Sequence, residues 1–149
     1  MDLALIWLHV SGNLVWIGSI LAVGAVMTAR GVEDPRARGR IAYDIYRRLA
    51  VPGFVIAFVC GAIRLGLDAK HYLQDSHWMH AKLLFALVVI ALHHVIGARA
   101  KRLAGHSAGH SADPAAGSVQ AGGGAGILTV VLGVAALAAA FFAIFKIPM

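Results

Sequence analysis

Charge is scarce in this chain: only 13% of its 149 residues are Asp, Glu, Lys or Arg. Carboxylates are the rarest charged groups, seven against thirteen Lys and Arg, and none lies in the long apolar runs. A cation buried in those runs therefore has no acid at its own depth to neutralise it. Cysteine occurs once, at Cys60, which excludes an internal disulfide and any multi-cysteine zinc or iron–sulfur centre built from one chain. What remains is 60% apolar, with a mean hydropathy of +0.78, a composition suited to lipid rather than water.

Four stretches reach the roughly 20 helical residues needed to cross a hydrocarbon core of about 30 Å. They cover positions 3–29, 49–67, 78–98 and 127–145. The first has no basic lead segment, follows Asp2 and exceeds the usual signal-peptide core, so it reads as a retained membrane anchor. The net charge of +6 does not point to nucleic acid, because the basic residues flank these stretches instead of forming a soluble face. Arg30, Arg36, Arg38, Arg40, Arg47 and Arg48 follow the first stretch, and Arg99, Lys101 and Arg102 follow the third. The positive-inside rule makes both connections cytoplasmic, and puts the short connection carrying Lys70, with both termini, on the other side. The expectation is an all-α, multi-pass, four-helix bundle in the cell inner (cytoplasmic) membrane, forming a single domain.

Two connections have their own character. Ile41, Ile45 and Leu49 alternate with arginines, so that stretch could continue the second helix along anionic headgroups, although a topology signal accounts for it. Positions 105–126 are rich in Gly, Ala and Ser and read as a flexible linker. His106 and His110 within it have metal-compatible spacing only in a helix, which the neighbouring glycines oppose.

The polar residues of the apolar stretches carry the chemistry. Trp7-Leu8-His9 and Trp78-Met79-His80 open the first and third stretches, while Arg64 and Lys146 close the second and fourth. Tryptophan favours the interface, so each histidine falls just inside the hydrocarbon, at one level with the two cations. His9, Asn13 and Trp16 share a helical face at i, i+4, i+7, and Gly53, Ala57 and Gly61 permit close approach of a helix or a flat ligand. Lys82 and His93 share one stripe of the third stretch, within about 20°, and His80 and His94 lie about 40° apart on another. A b-type haem suits this set: His9 and His80 as iron ligands, Arg64 and Lys146 beside the propionates, Asn13 and Trp16 lining the pocket. The bland alternative has the cations reaching for the headgroups and the histidines bonding between helices.

His9 with Trp16, Tyr46-Arg47 followed by Pro52 and Gly61, Trp78-Met79-His80-Ala81-Lys82 with His93, and Lys146 resemble HemJ-type protoporphyrinogen IX oxidases and their CopD-like relatives. The resemblance implies haem b, oxidation of a tetrapyrrole (protoporphyrinogen IX to protoporphyrin IX) and electron transfer to a membrane acceptor such as quinone. It marks Lys82, His93 and Lys146 as functional positions, with His93 or His94 able to accept protons. The sequence departs from that pattern where Gly24 to Arg30 lacks the Tyr-x-Pro-Arg type motif, and where Gly124 to Ile127 replaces the Asn-Glu-x-Pro type entry. Those losses support one alternative, a noncatalytic haem-bearing or structural subunit of a larger respiratory complex; a second, copper handling, is implied by the CopD-like side of the resemblance and by His80 beside Met79, with Cys60, Met27 and Met149 scattered elsewhere. A homo-oligomer would let the two stripes of the third stretch serve different interfaces.

Overall fold

The computed structural model describes residues 2–29, 34–75, 77–105 and 123–145. All its regular elements are helical: α1 (Asp2–Thr28), α2 (Pro35–Ile45), α3 (Val51–Leu67), α4 (His77–Leu103) and α5 (Gly123–Phe145). Three continuous helices, Leu3–Thr28, Pro35–Leu67 and Trp78–Leu103, are long and apolar enough to cross a membrane. The apolar stretch of α5 runs Gly126–Phe141. Large aliphatic side chains cover the outside: Leu14 on α1, Leu87 on α4 and Leu137 on α5 are each more than 60% exposed. Such an exterior suits acyl chains as its solvent.

The second crossing helix begins earlier than its apolar run. Asp34 caps it, its Oδ1 accepting the Arg36 backbone N–H at 2.8 Å, and Pro35 supplies the preset φ of a first helical position. The arginine-rich stretch is thus the start of that helix. Between α2 and α3 the backbone widens into a π-helical turn, Tyr46–Ala50, in which the Val51 N–H bonds the Tyr46 carbonyl five residues back. Pro52 is the cause, because it has no N–H and its ring crowds the carbonyl four residues earlier. At the other end of the chain's long connection, the linker expected over 105–126 gives way to helix at Gly123. His106 and His110 lie outside the described residues.

Packing follows the small residues. A Cβ on Gly12 would stand 2.8 Å from the Ala57 backbone nitrogen, and one on Gly53 2.7 Å from that of Trp16. α1 and α3 therefore touch backbone to backbone, in the manner of small-residue membrane interfaces. α5 lies along α1, where Thr129 occupies the space opposite Gly24, and along α4. α2 crosses the far ends of α1 and α4, with Gly39 against the Leu103–Ala104 backbone and Arg38 Nη1 donating to the Ala29 carbonyl at 2.7 Å. Ile20, Val23, Ile96 and Leu132 are fully enclosed at the centre.

Chain direction can be read from these contacts. His9 meets Ala57 and Trp16 meets Gly53, so α1 and α3 are antiparallel. Gly24 faces Thr129 and Gly133 faces Leu21, which makes α5 antiparallel to α1 as well.

Candidate functional site

Two polar clusters occupy the inward face of α1, seven residues or about 10 Å apart along its axis. The first is built on His9, which is half-buried against α3. Its Nδ1 lies 2.7 Å from the Ala57 carbonyl oxygen, which can only accept, so Nδ1 carries the proton and donates it. The ring lone pair is therefore on Nε2. There the Asn13 side-chain amide approaches to 3.2 Å, while the same nitrogen donates to the His9 carbonyl at 2.8 Å. Gly61 makes room for this ring: a Cβ there would fall 2.8 Å from Cε1. Lys82 of α4 is half-buried, on the stripe of that helix that also carries Val89 and His93.

The second cluster centres on His93, only 1% exposed. Trp16 Nε1–H donates to His93 Nδ1 at 3.0 Å. Indole nitrogen is a donor only, so Nδ1 must hold the lone pair and Nε2 the proton, which is donated to the Tyr46 hydroxyl at 3.2 Å. The imidazole also stacks on Tyr46, centroids 4.8 Å apart, and on Phe54 at 5.1 Å. Tyr46 and Phe54 are eight residues apart, but the extra residue of the π-helical turn brings them to one face. Three membrane helices are joined at this ring. With both nitrogens engaged and the ring enclosed, His93 has no lone pair open to a substrate proton, unlike the proton-acceptor role expected for it.

Placement of the remaining candidates is uneven. His94 is exposed and gives its Nδ1–H to the Ile90 carbonyl at 2.8 Å, which leaves the lone pair on Nε2. Arg64 is half-buried near the end of α3, its guanidinium carbon 5.7 Å from the centre of the Tyr72 ring. Lys146 lies outside the described residues. His80 is exposed. The buried stripe of α4 runs through Val89, His93, Ile96 and Ala100. Nine residues separate His80 from Val89, about two and a half turns, so His80 occupies the opposite side of the helix. The equal-depth pairing of His9 with His80 therefore meets an α4 that turns Lys82, not His80, toward α1. Among the described residues no group of three or more His, Cys, Asp or Glu is gathered for a metal.

Tyr46 and Phe54 are the site residues to which the sequence alone attached no role. The signal for them was Pro52, which forces the wider turn and thereby shifts which residues of that helix face His93.

Known proteins offer no guide to this arrangement: no family model, no characterised protein and no solved structure matches the chain.

Proposed function

We propose that this chain is a multi-pass membrane protein that binds haem b through His9 and serves electron transfer, with tetrapyrrole oxidation as its HemJ-like reaction. The observation that carries the reading is the state of the His9 imidazole. Its Nδ1–H is committed to the Ala57 carbonyl, which fixes the tautomer and orients the ring, as the outer partner of a ligating histidine does. Among the described residues the remaining lone pair, on Nε2, is met by the Asn13 side-chain amide, which can turn aside. Imidazole is a usual haem ligand, and apolar helix walls suit the macrocycle.

Bound haem would supply one-electron chemistry. The protein's own part is to hold and orient: Lys82 and Arg64 are cations at apolar depth suited to propionates or to the carboxylates of a tetrapyrrole, and Lys146 would join them. His80 lies on the exposed side of α4, the side that a second copy of the chain would meet. His93 positions α1, α3 and α4 through Trp16, Tyr46 and Phe54. The antiparallel setting of both α3 and α5 against α1, with arginines gathered beside α2 and the end of α4, supports four passes with that basic end cytoplasmic, in the cell inner (cytoplasmic) membrane.

The test is an absorption spectrum of the full chain purified from haem-replete membranes, beside His9→Ala. Bands of a b-type haem that vanish in the variant support the reading. A protein that is colourless, or carries copper instead, refutes it. Porphyrinogen oxidation with a quinone acceptor then separates the enzyme from a haem-bearing subunit without turnover.

A further inference from the structure

The end of the molecule where α2 crosses α1 and α4 carries a charge imbalance that the proposed redox site does not use. Arg36, Arg40, Arg47, Arg48, Arg99, Lys101 and Arg102 are all exposed there. The carboxylates on α2 and its cap are Asp34 and Asp44, and Asp34 is engaged by Arg40 at 3.8 Å. Among these cations Arg38 is different. It is half-buried, and Nη1 is fixed on the Ala29 carbonyl at the end of α1. Its Nε lies shielded from solvent without a hydrogen-bond acceptor, and among the described residues no carboxylate pairs with its charge. A guanidinium in that state lacks an anion with oxygens matching its fork, which is what a phosphate offers.

The level of this site in a bilayer limits the source of phosphate. The continuous helix Pro35–Leu67 has 33 residues, about 50 Å at 1.5 Å per residue, well beyond a hydrocarbon core of about 30 Å. Its first turns must project past the acyl chains. They do so with Ile41 and Leu49 half exposed among the arginines, the mixed apolar and basic surface of a helix seated in headgroups.

We propose that the junction of α1, α2 and α4 binds the phosphate of an anionic phospholipid, with Arg38 as its anchor and the surrounding arginines as its rim. Basic pockets between membrane helices at the headgroup level are a known way to hold acidic lipids. The inference needs only that the chain spans a bilayer and is independent of haem.

The experiment uses the full chain in nanodiscs of phosphatidylcholine, with or without phosphatidylglycerol of the same acyl chains. Retained lipid is read by native mass spectrometry after release, and thermal stability by loss of helical signal. The wild type should retain phosphatidylglycerol preferentially and melt higher in its presence, with both effects fading as salt rises. One headgroup-level charge corresponds to about a five-fold change in affinity, so Arg38→Gln should lower the preference by about that factor. Arg38→Lys should recover part of it. Equal retention of the two lipids by the wild type would overturn the proposal, and needs no variant that folds. An undiminished preference in Arg38→Gln would overturn Arg38 as the anchor. Stabilisation reproduced by inorganic phosphate in phosphatidylcholine discs would overturn the lipid in favour of a free anion.

Discussion

Replacing His93 by alanine should be among the most damaging single changes in the protein. The imidazole is 1% exposed and accepts from Trp16 at 3.0 Å while donating to Tyr46 at 3.2 Å. Hydrogen bonds between membrane helices average about 0.6 kcal/mol and reach about 1.7, so the pair contributes about 1–3 kcal/mol. Stacking on Tyr46 and Phe54 adds about 0.5–1.5 kcal/mol for each ring. The alanine also leaves a void and strands the Trp16 N–H without an acceptor. These contributions overlap, and a total of about 3–5 kcal/mol is expected. The assay is reversible unfolding in mixed micelles titrated with a denaturing detergent, read by circular dichroism. Trp16→Phe and Tyr46→Phe should each cost about 1 kcal/mol. Because both bond one ring, their double variant should depart from additivity by about 0.5 kcal/mol or more. A cost below about 1 kcal/mol for His93→Ala would refute the view that this ring ties the helices together.

Other outcomes follow from the close approaches of glycine. Gly53→Ala would drive a Cβ against the Trp16 backbone at 2.7 Å, which no rotamer can relieve; it should cost about 1–3 kcal/mol in the same titration. Gly18→Ala, where nothing lies within 4 Å, should be neutral or mildly stabilising and serves as its control. Gly97→Ala would place a Cβ on the Tyr46 ring, so it should destabilise at least as much as Tyr46→Phe. Gly61→Ala would push the His9 ring off its seat, and should lower haem content while leaving helical content unchanged, measured by pyridine haemochrome and circular dichroism.

Much of the helical layout was legible because hydrocarbon thickness and the 100° helical step act on every residue alike. The apolar runs end close to where α1, α3 and α4 end, and His9, Asn13 and Trp16, expected to share one inward face of the first helix, do so on the face where His9 meets α3. The small-residue stripe of α3 was equally visible, and it received a helix. Rotation about an axis is harder to read. The repeated Trp-x-His motif specifies depth but not direction, and the direction of His80 is set by the packing of Val89, His93, Ile96 and Ala100, which buries the other side of α4. Tyr46 was hidden for a different reason. A regular helix would carry it away from the face of Phe54, and only the wider turn ahead of Pro52 brings the two together. His93 was conspicuous as an intramembrane histidine, yet its partners lie 47 and 77 residues away in the chain, and those partners decide that it binds helices together.

The central claim rests on one nitrogen, Nε2 of His9, and a reduced-minus-oxidised spectrum of the purified chain tests it most directly. The account predicts the sharp bands of a b-type haem in the wild type and their loss in a folded His9→Ala protein. Bands of undiminished height in that variant would contradict it.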